Sequence, residues 1–235
     1  LRRIAIMTRP VLFVDSDDMV CLDRTCGGYD AIHALARVEK QPGLSFDDFQ
    51  DLWEQLFDAN AKGYLRALHD EFSPWYVLTT SWWWLFEKDA LEQILRRSGL
   101  EFVANNLHAS WATPKGPRPD VRAQEISDWL GRNAEFVDSW VVLDDELSGT
   151  GLADWQIQER GPFIVLCQEN VGLTEVEFKK LQEAFRLRAK SAHREPRSAA
   201  VKMNRLPRKN RSAENGFEWQ FLRGKTVPIP YERTR

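Results

Sequence analysis

The 235-residue chain combines 43% hydrophobic residues with a net charge of −3, the composition of a soluble globular protein with room for one good core. The small net charge hides an asymmetry, because residues 186–235 carry 14 Lys/Arg against 4 Asp/Glu, a balance of +10 that leaves −13 on residues 1–185. No run reaches the roughly 18 apolar residues needed to span a bilayer, and residues 1–7 are too short for a signal peptide's apolar segment; Cys21, Cys26 and Cys167 lack the pairing of a disulfide or zinc framework, so a cytoplasmic protein without a membrane partner is expected.

Val11-Leu12-Phe13-Val14 is an apolar run without helical period, the pattern of a strand buried on both faces of a parallel sheet. Asp15, Asp17 and Asp18 follow at once. Acids at the carboxyl end of a central strand stand where open α/β sheets bind ligands, and hard divalent cations seek such oxygen-rich sites; the same residues also suit a polar turn. Breakers at Cys26-Gly27-Gly28 and Pro42-Gly43 frame a short helix over 29–38. Ser45 is placed to cap a helix with Phe46, Phe49, Leu52, Trp53, Leu56 and Phe57 on one stripe, and a second helix over 59–72 carries Tyr64, Leu65 and Leu68. Both should cover the sheet.

A second strand over 75–79 runs into Thr79-Thr80-Ser81, hydroxyls that either donate to a phosphate oxygen or open the next helix. Trp82, Trp83 and Trp84 cannot all face inward on a helix that turns about 100° per residue. A helix over 87–98 stops at Gly99, residues 102–104 read as a weak third strand, and 105–119 read as a loop that sets Lys115 before a helix over 119–131. Trp140-Val141-Val142-Leu143 is a fourth buried strand, and like the first it ends in acids, Asp144-Asp145-Glu146. Residues 163–166 supply a fifth strand and 173–188 a last helix, with Thr174 and Glu177 as a capping box. Beyond this, four prolines interrupt a polar, basic stretch, so a domain over 1–188 followed by a flexible basic arm over 189–235 is expected, with Phe217-Glu218-Trp219-Gln220-Phe221-Leu222 as an apolar island that could dock back. No P-loop or G-x-G-x-x-G signature occurs.

Strand–DxD, strand–Thr/Ser, loop–Lys and strand–DD, in that order between residues 11 and 166, resemble the four motifs of the haloacid dehalogenase (HAD) superfamily of phosphohydrolases. More narrowly, Thr79-Thr80-Ser81-Trp82, Thr113-Pro114-Lys115, Val142-Leu143-Asp144-Asp145-Glu146 and Asn170-Val171-Gly172-Leu173-Thr174 look like the HAD domains grouped with Swiss Army Knife RNA-repair proteins. The resemblance implies an α/β, three-layer Rossmann-like fold whose parallel sheet of about five strands has the order 3-2-1-4-5. It implies Mg2+-dependent phosphomonoester hydrolysis, with Asp15 as the nucleophile that forms an aspartyl-phosphate and Asp17 as general acid and base. Lys115 and Thr80 would hold the phosphoryl oxygens, and Thr79, Ser81 and Trp82 would contact substrate. The cation would be held by Asp15, the backbone carbonyl of Asp17 and Asp145, with Asp144 as second candidate.

The chain departs from the family pattern where Asp18 and Met19 replace the usual Gly and Thr after the second Asp; Asp tolerates left-handed backbone better than most residues, though less readily than Gly. HAD enzymes selective for small metabolites commonly carry a cap domain, but the gaps 17–80 and 80–115 leave little room for one. A large phosphorylated substrate is therefore expected, an RNA or DNA end above all, with exposed members of the run 82–84 and Trp111 stacking on bases. A small-molecule (nucleotide) phosphatase and a non-catalytic HAD-like module that binds nucleic acid through its basic tail are the rival readings.

Overall fold

The computed structural model describes residues 9–22, 24–80, 82, 85–114, 122–157 and 160–192. Of the expected arm over 189–235, residues 189–192 continue the last helix and 193–235 lie outside the described residues, as do Ser81, Trp83, Trp84 and Lys115.

Five parallel strands form one sheet in the order β3-β2-β1-β4-β5: β1 (Val11–Val14), β2 (Trp75–Leu78), β3 (Leu107–Ala112), β4 (Trp140–Asp145) and β5 (Ile164–Cys167). Central β1 is buried along its whole length because both its faces are covered. Leu12 and Val14 join Tyr76, Leu78, Val141 and Leu143 in a core beneath α1 (Gly28–Lys40), α2 (Gln50–Gln55), α3 (Ala59–Phe72), α4 (Lys88–Arg97), α5 (Glu101–Ala104) and α8 (Glu175–Ala192). Val11 and Phe13 point the other way, toward α6 (Arg122–Arg132) and α7 (Leu152–Gln156), where Ile126, Trp129 and Leu152 form a second core. This is a three-layer α/β fold with the strand order the motifs imply. No helix among the described residues is long and apolar enough to cross a membrane.

Local signals explain most boundaries. The Asp58 side chain accepts from Ala61 N at 2.9 Å and opens α3, and Ser45 accepts from Asp47 N at 3.2 Å to start a 3-10 turn that leads into α2. Thr174 caps α8 by accepting from Val176 N at 3.2 Å and donating to Glu177.

The third strand is corrected. Residues 102–104 are helical, in α5, and β3 lies in what reads as loop. Gly99 takes a φ of +83°, and Leu100 N donates to Leu95 O at 2.7 Å, so the chain turns straight into another helical turn. That turn buries Phe102, Val103 and Ala104. Strand β3 is an irregular edge strand, half-buried to exposed along its length, whose register against β2 shifts between Tyr76 and Leu78.

Candidate active site

The parallel register pairs Val14 with Leu143, so the residues that follow them, Asp15 and Asp144, leave β1 and β4 side by side. Asp15 N donates to Leu143 O at 3.1 Å. Asp15, Asp144 and Asp145 are 3%, 0% and 1% exposed, and a carboxylate oxygen from each lies within 4.8 Å of the other two. Burial pushes the Asp15 carboxyl up and Asp144 well up, with Arg122 opposing both shifts.

Two residues that the sequence reading did not pick out organise this cluster. Arg122, in the first turn of α6, is buried between Asp144 (Nε to Oδ2, 3.1 Å), Asp15 (Nη2 to Oδ1, 3.4 Å) and Glu125 (Nη1 to Oε2, 3.7 Å). A cation in the first turn of a helix opposes the helix dipole, and that misplacement is the signal that could have found it. Ser148 sets its Oγ 3.2 Å from both Asp15 Oδ2 and Asp144 Oδ1 and also on Asp145 Oδ2. The β4 loop fixes both groups. Asp145 Oδ1 accepts from Leu147 N and Ser148 N at 2.7 Å each, and Thr150 Oγ1 accepts from Arg122 N at 3.1 Å. Gly149 is required between them, because a Cβ there would stand 2.4 Å from the Asp145 carbonyl oxygen.

The residues fit a divalent cation. Among the described residues, one Ser148 hydroxyl offers a single proton to Asp15, Asp144 and Asp145, and one guanidinium, Arg122, faces Asp15 and Asp144, so the three carboxylates when ionised carry more negative charge than those two groups offset. Hard oxygen donors at this spacing suit a hard cation of the Mg2+ or Ca2+ kind.

Asp17 stands apart from that set. Trp82 Nε1 donates to both its oxygens, at 2.9 and 3.0 Å, while burial and then the Asp15 charge push its carboxyl up to about 7. Asp18 takes the left-handed φ of 52°, so an Asp occupies the Gly-type conformation of this turn. Its N–H donates to Cys21 O at 2.9 Å and its Oδ1 accepts from Asn170 N at 3.2 Å, tying the β1 loop to the β5 loop. Gly172 in that second loop allows the approach, since a Cβ there would stand 2.8 Å from Met19 O.

Of the hydroxyls after β2, Thr79 Oγ1 lies 3.5 Å from Asp144 Oδ2, and Thr80 is fully buried with its Oγ1 accepting from Trp82 N at 3.3 Å. Ser81 and Lys115 fall outside the described residues. Trp82 is 3% exposed and packed against Phe57 and Phe86, so it is not one of the exposed members of the run 82–84 expected to stack on bases; Trp83 and Trp84 lie outside the described residues. Trp111 is half-buried against the core.

A parallel sheet in this order, with paired acids at the ends of its first and fourth strands, defines a HAD-like domain. Residues 11–178 match the family model described as the HAD domain in Swiss Army Knife RNA repair proteins, and the chain belongs to that family. No curated protein and no solved structure matches it. The family supports phosphohydrolase chemistry in general terms, and the buried Asp cluster is compatible with metal binding.

Proposed function

We propose that the chain is a Mg2+-dependent phosphomonoesterase acting through an aspartyl-phosphate, with a nucleic-acid end as its substrate. The observation that carries this reading is the Asp15 carboxylate, buried at the end of the central strand within 4.8 Å of Asp144 and Asp145 and paired to Arg122. Asp15, the Asp17 carbonyl, Asp145 and Asp144 would hold the cation, which when bound screens the nucleophile from the phosphate dianion. An Asp15 oxygen attacks phosphorus, the ester P–O bond breaks, and Asp17 gives its proton to the leaving oxygen. Asp17 then takes a proton from water as the water oxygen attacks phosphorus, and the bond from phosphorus to Asp15 breaks to release phosphate. Arg122 opposes the rise that burial imposes on Asp15 and so favours the ionised form that attacks, and Thr80 with Lys115 would steady the phosphoryl oxygens.

Exposed apolar residues close in sequence to the site support a large substrate. Tyr29 (76% exposed), Leu85, Leu147 and Val171 are exposed apolar side chains, each a few residues in sequence from Gly28, Trp82, Asp145 or Asn170, residues that build or brace the site. Exposed apolar faces of this kind can stack on bases. The expected result is Mg2+-dependent phosphate release from 3′- or 5′-phosphorylated oligonucleotides, with kcat/KM above that for the matching mononucleotide at low salt. A mononucleotide used as well or better would replace this reading with a small-molecule phosphatase. No release from any monoester, by a folded protein with Mg2+, would leave the non-catalytic module.

A further inference from the structure

Trp82 joins three parts of the molecule at one hydrogen bond. Its ring lies near-parallel to Phe57, with centroids 5.9 Å apart, and edge-on to Phe86 at 5.8 Å. Held on both sides and 3% exposed, the indole has no room to swing. Its single N–H is shared by both Asp17 oxygens, which fixes the plane of that carboxylate as well as its position. Gly28, in the first turn of α1, leaves the space: a Cβ there would lie 3.2 Å from Trp82 Nε1 and Cζ2 and 3.4 Å from Asp17 Oδ1. A carboxylate without that donor has a stronger attraction close by, the cation that Asp15 and Asp145 would hold, and an acid turned onto a cation cannot deliver a proton.

We propose that Trp82 is a positioning residue whose indole N–H holds Asp17 apart from the cation cluster and aimed at the leaving oxygen, so the acid is set without any closing movement. The inference rests on the phosphomonoesterase reading above. Trp82→Phe keeps an aromatic ring and removes only the donor and one ring. The comparison is kcat/KM for an alkyl phosphate, whose leaving oxygen needs a proton, against 2,4-dinitrophenyl phosphate, whose leaving group does not. Because kcat/KM covers steps only through cleavage of the ester bond, the later work of Asp17 on water does not enter. The expected loss is about tenfold or more on the alkyl ester and about twofold or less on the aryl ester, since a mispositioned acid forfeits part of the 10²–10⁴ it supplies. In an Asp17→Asn background, Trp82→Phe should cost the alkyl ester nothing further. Independently of turnover, the Trp82 indole proton resonance, identified by its disappearance in Trp82→Phe, should shift in Asp17→Asn. Equal losses on both esters, additive losses in the double variant, or an unmoved resonance would each overturn the proposal. A wild-type protein that cleaves neither ester would overturn the phosphomonoesterase reading, and this role of Trp82 with it.

Discussion

Removing Arg122 tests whether the site is a charge-balanced device. In Arg122→Met the side chain keeps its length and apolar stem, but Asp15, Asp144 and Glu125, all 5% exposed or less, lose their shared cation. Breaking a buried pair by deleting one partner costs about 3–5 kcal/mol, and for a domain of this size each kcal/mol lowers Tm by about 2–4 °C, so a drop of about 6–20 °C is expected in chelator. The deficit should depend on pH in a defined direction. Without the guanidinium the two aspartates sit further above their ordinary value of 3.8 than they already do. A carboxyl with a raised folded-state value binds a proton that the unfolded chain releases, so native stability is lost as pH climbs from the ordinary carboxylate range toward the raised value. The difference between variant and wild type should therefore be small near pH 4 and reach full size near neutrality. Calorimetric melting at both pH values measures it. A deficit of the same size at pH 4 and pH 7 would show that Arg122 acts by packing, and one below about 1 kcal/mol at neutrality would show that the aspartates are already neutralised by protons.

Asp15→Asn should fold as the wild type by circular dichroism and release no phosphate above background, because the amide is nearly isosteric but a poor nucleophile and metal ligand; turnover by a folded Asp15→Asn would remove Asp15 from the nucleophile role. Gly149→Ala should destabilise the domain by about 1–3 kcal/mol in a denaturant titration, since its methyl must displace the Asp145 carbonyl 2.4 Å away, and it should weaken Mg2+ binding measured by calorimetry. Asp18→Gly should stay within about 1 kcal/mol of wild type, while Asp18→Val should lose about 1–2 kcal/mol or more for forcing a β-branched residue to a φ of 52°; an unchanged Asp18→Val would mean that the loop adopts another conformation. Truncation after residue 192 should leave hydrolysis of a small aryl phosphate unchanged and lower oligonucleotide affinity at low salt, because the deleted residues carry most of the +10 balance; equal affinity with and without them would remove the arm from nucleic-acid binding.

What the sequence shows and what it conceals follow from where the stabilising contacts lie. Strands β1 and β4 are buried on both faces, so their apolar runs stand out without alternation, and the acids that end them are adjacent in sequence to those runs. Helix α3 carries its own cap at Asp58. Strand β3 has no such local mark, because Leu107-His108-Ala109-Ser110-Trp111-Ala112 holds its place by pairing with β2, a contact some thirty residues away, and the apolar residues 102–104 belong to a helical turn set by the backbone at Gly99. The same distinction separates the site residues. Asp15, Asp144 and Asp145 are legible because each directly ends an apolar strand run, whereas Arg122 and Ser148 matter only through carboxylates brought to them by the fold. Asp18 shows the limit of motif reading in the other direction: the residue departs from the usual Gly, yet the backbone it adopts does not.

On the phosphomonoesterase reading, the arrangement of charge would give the site's carboxylates distinct work. Among the described residues, Asp15, Asp144 and Asp145 share Ser148, and Arg122 is divided between two of them and Glu125, so the ionised cluster would carry more negative charge than these two groups offset. A phosphomonoester adds up to two more negative charges, and in a buried, low-dielectric cluster each added like charge costs several times what it would in water. On the same reading, a divalent cation held by these residues would offset that charge, in competition with the protons that burial favours on Asp15 and Asp144. The Asp17 carboxyl, held by the Trp82 indole, stands outside that carboxylate cluster. For a phosphomonoesterase, the carboxyl end of the sheet would thus separate two carboxylate tasks that the chemistry requires to be distinct, a deprotonated nucleophile beside a metal and a protonated acid beside a leaving group.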